Sequence, residues 1–253
     1  MAIEATRLEW VSPHGDRIAL INPEGDYEVA CVAEDGIEGL VGSFEDDASE
    51  VPGVPGARFR LRDRRVQPLT GALECVLMDS SQWRRFRQAW STRLAGTLRL
   101  TVDGLVWSLP CRLSEPVESP GRMPRAGTII PVNLISGGGV WTTFREETGT
   151  VQVTNFGDVD LSVSVRWSGA GGNVVLPSGA VMRLPKVKAE HVVSLDPRSG
   201  MTAAVLSGDG SVEPSAAAMR VLGEVVPVGE VGVFKVPAGA RLEWKVGVFD
   251  PWM

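Results

Sequence analysis

Several residue types on which protein function often depends are scarce in this 253-residue sequence. It contains two histidines, three cysteines and one tyrosine, and no apolar run long enough for a transmembrane helix. The cysteines are widely separated and form no CxxC pair, which argues against a disulfide framework or a zinc site. The opening MAIEATRLEW has charged residues where a signal peptide has its apolar core, so we expect no secretion signal. These absences predict no membrane insertion and no cofactor.

Motifs of catalysis are also missing. His14 and His191 are far apart, and the sequence has no HExxH, GxSxG, phosphate-binding loop or dinucleotide-binding glycine motif. Glu146 and Glu147 are adjacent and would point to opposite faces of a strand, so they cannot flank one glycosidic bond. A glycoside hydrolase would need two carboxylates that converge in a cleft. The sequence therefore predicts a protein that is not an enzyme.

Charge is distributed unevenly along the chain, whose formal net charge is −6. Residues 1–56 contain 13 acidic residues and two arginines, whereas residues 57–128 contain 13 arginines, no lysine and six acidic residues. Either these stretches pair within one subunit, or opposite faces of a subunit meet head to tail in a ring. The negative total and the lack of a basic stripe with interleaved aromatics predict no specific nucleic-acid binding.

Glycine and proline are abundant, with 29 and 17 residues, and they separate short alternating runs that are typical of β-strands. In 161–167 (LSVSVRW) and 241–249 (RLEWKVGVF), every second residue is apolar, which predicts two half-buried strands. Asp103-Gly104 joins two further runs and is a strong signal for a two-residue hairpin turn. The fold class is therefore predicted as mainly β.

One helix is predicted, over residues 79–94. Its apolar stripe consists of Trp83, Phe86, Trp90 and Leu94, while Arg84 and Arg85 point away and Arg87 flanks the stripe. We expect these arginines to reach acidic residues of a neighbouring subunit in the proline-broken loop that follows residue 44. The interface candidates are thus Arg84, Arg85, Arg87, Glu45, Asp46 and Asp47.

A proline-rich segment predicts where the chain divides into domains. Residues 1–118 are predicted as an N-terminal β-barrel-like domain that includes the helix, residues 119–131 as a linker, and residues 132–253 as a C-terminal β-sandwich. Of the eight tryptophans, Trp141 follows a triple glycine and is the candidate for an exposed ring that stacks on a sugar.

The order of these elements resembles the distal tail protein family of long-tailed, siphovirus-type bacteriophages, whose members are also described as minor tail proteins. Three parts of the sequence carry the resemblance. They are Gly36–Gly42 with Arg58–Arg62, then SQWRRFRQAW with LRLTVDGLVWSLPCRL, and lastly VTNFGDVDLSVSVRW with VPAGARLEW.

The resemblance implies a function as well as a fold. The N-terminal domain would form a homo-oligomeric, hexameric ring at the distal end of the tail tube, and the C-terminal domain would be a galectin-like β-sandwich. The ring would connect the tail tube to the baseplate hub, with the tail tube protein, the tape measure protein and the hub or tail-associated protein as partners. Its location would be the virion tail tip, after assembly in the cytoplasm of the bacterial host. The alternative is a non-catalytic carbohydrate-binding protein for adhesion to host glycans, which would expose coplanar tryptophans on the sandwich.

Overall fold

A computed structural model describes residues 6–46, 48–50, 52–53, 55–59, 64–118, 121–197, 204–206, 212–214 and 223–252. This part of the chain consists of β-strands and one short α-helix, which confirms the prediction of a mainly β fold. The chain divides into two compact units. Unit 1 comprises residues 1–142 and 248–253, and unit 2 comprises residues 143–247.

The strands of unit 1 are all paired antiparallel. They are β1 (Arg7–Val11), β2 (Arg17–Ile21), β3 (Ala30–Gly39), β4 (Phe44–Glu45), β5 (Ala48–Glu50), β6 (Ala57–Phe59), β7 (Arg65–Val66), β8 (Leu69–Leu77), β9 (Gly96–Val102), β10 (Leu105–Leu113), β11 (Ile129–Ser136) and the first residues of β12 (Trp141–Glu147). The main order is β2-β1-β9-β10-β11-β8-β3. Among the described residues β2 does not pair with β3, so the barrel-like arrangement is an open sheet and not a closed barrel.

Local sequence explains the turn between β9 and β10. Asp103 and Gly104 both have positive φ, 49° and 74°, as the two central residues of a type I′ turn require. Val102 therefore pairs with Leu105, and the register continues to Gly96 opposite Cys111. The hairpin predicted at Asp103-Gly104 is confirmed.

The helix is shorter than the sequence predicts. A 3-10 turn (Ser80–Gln82) leads into α1 (Trp83–Gln88), and the structure shows no helix over residues 89–94. The Trp10 indole donates a hydrogen bond to the carbonyl oxygen of Ala89, at 2.8 Å, and the Ser91 hydroxyl accepts hydrogen bonds from the backbone amides of Arg93 and Leu94. These bonds compete with those of a helix. Phe86 and Trp90 are buried as predicted, but Leu94 is exposed.

The strands of unit 2 form two layers. They are the rest of β12, then β13 (Thr150–Thr154), β14 (Leu161–Gly169), β15 (Gly172–Val175), β16 (Val181–Leu184), β17 (Val187–Ser194), β18 (Ala204–Leu206), β19 (Val212–Pro214), β20 (Val225–Val226), β21 (Val231–Lys235) and β22 (Ala240–Val248), of which Val248 belongs to unit 1. One layer has the order β13-β21-β15-β16, and in the other β14 pairs with β17, β20 and β22. The predicted inward faces of β14 and β22 are confirmed, because Val163, Val165, Trp167 and Leu242 are buried in one apolar core.

The division between the units falls later in the chain than the predicted linker at 119–131. β11 pairs with β8 over its whole length, from Ile129 opposite Val76 to Ser136 opposite Leu69. These hydrogen bonds place 129–136 in unit 1, although the prolines at 116, 120 and 124 suggest a linker in the sequence. In the part of the chain that is described, no helix has the length and apolar character to cross a membrane.

Candidate interaction surfaces

The three arginines predicted at a subunit interface lie on α1 in different surroundings. Arg85 forms a salt bridge with Glu28, which precedes β3. Arg84 is exposed and Arg87 is half-buried, and neither has an ion-pair partner among the described residues. Arg85 therefore has an acidic partner within its own chain, whereas Arg84 and Arg87 have none in the part of the chain that the structure describes and remain the candidates for an interface.

Glu45 and Asp46 belong to a two-stranded arm, whose described residues are 44–46, 48–50, 52–53, 55–59 and 64–66. In this arm β4 pairs with β7 and β5 with β6. Asp46 accepts hydrogen bonds from Nε and Nη2 of Arg64, at 2.7 and 3.1 Å. Glu45 is exposed and accepts one from Gln67, at 3.1 Å. Asp47 lies outside the described residues. The bidentate contact between Arg64 and Asp46 is an ion pair within one chain, so Glu45 is more available than Asp46 for contact with a neighbouring subunit.

The arm also exposes large apolar side chains, which the sequence analysis did not single out. Phe44 is 43% exposed and Phe59 is 59% exposed, and Val66, which pairs with Phe44 across the two strands, is exposed on β7. The guanidinium of Arg64 lies over the Phe44 ring, 3.6 Å from its centroid. Isolated two-stranded ribbons are marginally stable in water, and clustered exposed apolar residues are typical of surfaces that another protein covers.

Trp141 does not have the exposed ring that its sequence context suggests. It is fully buried in unit 1, and its Nε1 donates a hydrogen bond to the carbonyl oxygen of Leu40, at 2.8 Å. The Trp252 ring packs edge-on against it, with 5.5 Å between the ring centroids. Trp141 therefore has no free face for a sugar, and its prediction as a glycan contact is wrong. The burial comes from segments distant in the sequence, since Leu40 and Trp252 both contact the Trp141 side chain.

A cluster of paired charged side chains lies on the face of unit 2 opposite its apolar core. Arg166 and Arg241 are direct cross-strand neighbours on β14 and β22, an arrangement that repels unless carboxylates lie between them. Glu243 accepts hydrogen bonds from Arg166 Nη2 and Arg241 Nε, each at 3.0 Å. Glu190 accepts one from each arginine, at 3.3 Å. Glu146 also pairs with Arg241, with 3.5 Å between its Oε2 and Arg241 Nε, so five side chains form a mutually paired network.

Electrostatics in this cluster favour the ionised state of Glu243. Burial alone would raise the pKa of Glu243, but the hydrogen bonds and charges of Arg166 and Arg241 outweigh burial and hold that pKa below its ordinary value. Beside the network is an open depression of about 540 Å³, whose lining includes Thr148, Pro237 and Gly239. Since each charge already has a partner, the cluster is suited to stabilising the sheet.

The structure brings no catalytic pair together from the residues considered in the sequence. His14 lies in an exposed turn of unit 1, whereas His191 is buried on β17 with its Nδ1 3.0 Å from the carbonyl oxygen of Ala189. In the described ranges, no three histidine, cysteine or acidic side chains are placed to bind a metal ion. The three cysteines are free thiols.

Comparison of the fold with solved structures gives full-length matches. The fold is similar to that of the phage SPP1 Dit protein. That structure, described as a paradigm of the hub adsorption apparatus in phages that infect Gram-positive bacteria, has a TM-score of 0.57 and 10% identity, and the match covers 96% of this chain and 99% of Dit. Phage P2 baseplate structures in the activated conformation, with Ca or with Sr, each give a TM-score of 0.56 at 8% identity. They cover 95% of this chain and 98% or 97% of the matched chain. No protein-family model and no curated protein sequence matches.

Proposed function

We propose that this chain is a structural, non-enzymatic protein of a phage tail that forms a ring at the distal end of the tail tube and joins the tube to the baseplate hub. The observation that carries the proposal is the fold similarity to SPP1 Dit, because it extends over nearly all of both chains. A match of one common sandwich domain would be weaker support, since such domains serve many functions. Here both units are matched together.

Two surfaces of unit 1 support a homo-oligomeric ring. The arm presents Phe44, Phe59 and the carboxylate of Glu45, while α1 presents Arg84 and Arg87. A closed ring needs two different surfaces that complement each other on every subunit. Exposed ion pairs contribute only about 0–1 kcal/mol each, so burial of the arm's apolar residues would supply most of the binding free energy. The charges would mainly set orientation.

In the proposed ring the copy number is six, and the partners are the tail tube protein, the tape measure protein and the baseplate hub or tail-associated protein. The ring would be part of the virion tail tip, assembled in the bacterial cytoplasm. These finer features rest on the family resemblance described above. The alternative of glycan adhesion lacks an observation in its favour, since Trp167 and Trp244, the tryptophans of unit 2, are both buried.

The proposal can be tested by reversing the two available arginines, Arg84→Glu together with Arg87→Glu. The reversal replaces attraction to Glu45 of a neighbour by repulsion at every interface. We expect the concentration at which the oligomer dissociates to rise about tenfold at low salt, equivalent to about 1.4 kcal/mol. In 1 M salt the effect should shrink, because the Debye length is then only about 3 Å. Analytical ultracentrifugation measures both values.

Arg122→Glu together with Arg125→Glu is the matched control, because both are exposed arginines in the loop before β11 and the pair changes the net charge by the same amount. It should leave the dissociation concentration within about twofold of wild type. If the double variant of α1 assembles like the control in dilute buffer, the arginines of α1 are not at the subunit interface.

A further inference from the structure

The arm begins where the C-terminal residues of the chain return to unit 1. The backbone amide of Gly42 donates a hydrogen bond to the carbonyl oxygen of Phe249, at 2.9 Å. A Cβ at Gly42 would lie 2.4 Å from Phe249 Cδ1 and 2.5 Å from the Gly139 carbonyl oxygen, so only glycine permits this approach. Two residues later, the rings of Phe44 and Phe249 have centroids 5.6 Å apart. Phe249 therefore contacts both the backbone and a side chain at the root of the arm.

A second set of contacts holds Leu40, which lies four residues before the arm. Leu40 is fully buried and has φ of +58°, a left-handed conformation that costs a leucine roughly 1–2 kcal/mol. Its amide donates to the Thr70 carbonyl oxygen at 3.2 Å, and its carbonyl oxygen accepts from Trp141. Trp252 covers the Trp141 ring. The C-terminal residues thus contact the root of the arm directly through Phe249 and indirectly through Trp252.

We propose that residues 248–252 are a strap that sets the direction of the arm, with Phe249 as its positioning residue. The strap continues directly from β22, and it does not itself need to contact another subunit. This inference rests on the proposed function where it concerns assembly, because an arm that must insert into a neighbouring copy binds more tightly when it is held in its bound direction. The local claim, that Phe249 orders the arm, stands on the contacts alone.

The test is Phe249→Ala in the full chain, with two readouts. Trypsin should cleave at Arg64 and Arg65 about two to ten times faster than in wild type. This range follows because the cleavage rate depends on the population of the locally opened state, and loss of one aromatic contact raises that population by about this factor. The concentration at which the oligomer dissociates should rise by a similar factor. The midpoint of global thermal unfolding should change little, so the cleavage rate separates loss of arm order from general destabilisation. Phe156→Ala removes another half-exposed phenylalanine, in unit 2, and should alter neither readout.

A double-mutant cycle with Phe44→Ala makes the test specific to this contact. If the rings act together, the double variant should be cleaved no faster than the faster single variant, whereas multiplied effects would overturn the proposal. Phe249→Leu keeps apolar volume and replaces Phe249→Ala if that variant does not fold. Cleavage at the wild-type rate in whichever of these two variants folds would also overturn the proposal. A monomeric wild type would refute the ring but not the strap, because the cleavage rates would still measure the order of the arm.

Discussion

Asn155 should be one of the most important polar residues for the stability of unit 2. It follows β13 and is completely buried. Its Nδ2 donates hydrogen bonds to the carbonyl oxygens of Val159 and Val226, at 2.9 and 2.8 Å, and its Oδ1 accepts one from the amide of Gly157, at 3.0 Å. One side chain thus connects the end of β13, the loop before β14, and β20.

Replacing Asn155 by alanine would leave two carbonyl oxygens and one amide without their partner. Each buried group left unsatisfied costs about 1–3 kcal/mol, and water that enters the vacated space recovers part of that cost. We therefore expect Asn155→Ala to lower the free energy of unfolding by about 3 kcal/mol, a large share of the about 5–15 kcal/mol that is typical of folded domains. Urea unfolding followed by circular dichroism measures the change.

Asn155→Asp sharpens the test, because it keeps the shape and replaces the donor by an acceptor that faces two carbonyl oxygens. An ionised carboxylate there would be more destabilising than alanine, and protonation would restore one donor. Its folded pKa should therefore be raised, so the loss of stability should shrink as the pH falls below that value. Asn173→Ala, at an exposed position of β15, is the matched control. If Asn155→Ala costs less than about 1 kcal/mol, these three hydrogen bonds do not stabilise unit 2 as the geometry indicates.

Three further predictions concern other parts of the chain. The pKa of Glu243 is held below its ordinary value in the folded protein, so ionised Glu243 should stabilise the fold fully above its pKa in the unfolded chain, about 4.3, and lose this effect as the pH falls through its folded pKa. Glu243→Gln should therefore be less stable than wild type at pH 7, and the difference should shrink in acid. A difference in stability that does not change with pH would contradict this prediction. Gly157→Ala would put a Cβ 2.3 Å from the Gly247 carbonyl oxygen and should cost roughly 1–3 kcal/mol in thermal unfolding, whereas Gly137→Ala has open space and should be neutral. Thiol labelling of the native protein should modify Cys31 alone, because burial raises the pKa of the Cys111 thiol to about 12 and Cys75 is fully buried. Rapid labelling of all three cysteines would be inconsistent with the packed core of unit 1.

Local patterns predicted the strands and failed where distant segments meet. The Asp103-Gly104 turn and the alternation in 161–167 depend on neighbouring residues, so sequence reasoning found them. The helix was overestimated because its end depends on Trp10, which lies 79 positions before Ala89 in the chain. The burial of Trp141 depends on Leu40, 101 positions away, and on Trp252.

Sequence reasoning about the candidate interface also failed where the pairing depends on residues distant in the chain. Charge counting identified arginines of α1 and acids near residue 45, but it could not show that Arg85 pairs with Glu28 and Arg64 with Asp46. The Arg64–Asp46 pair follows from the register of β4 and β7, whereas the Arg85–Glu28 pair depends on where α1 packs relative to the residues before β3. The exposed apolar residues of the arm were not predicted, because Phe44 and Phe59 are separated in the sequence by a segment rich in acidic residues, proline and glycine.

The central claim is that copies of this chain form a ring, and the mass of the native particle tests it most directly. Native mass spectrometry of the full chain, with negative-stain images of the same sample, gives copy number and shape together. Six subunits of 27.1 kDa predict a particle of about 163 kDa with a central opening. A particle of 27.1 kDa at every protein concentration and salt concentration tested would contradict the ring.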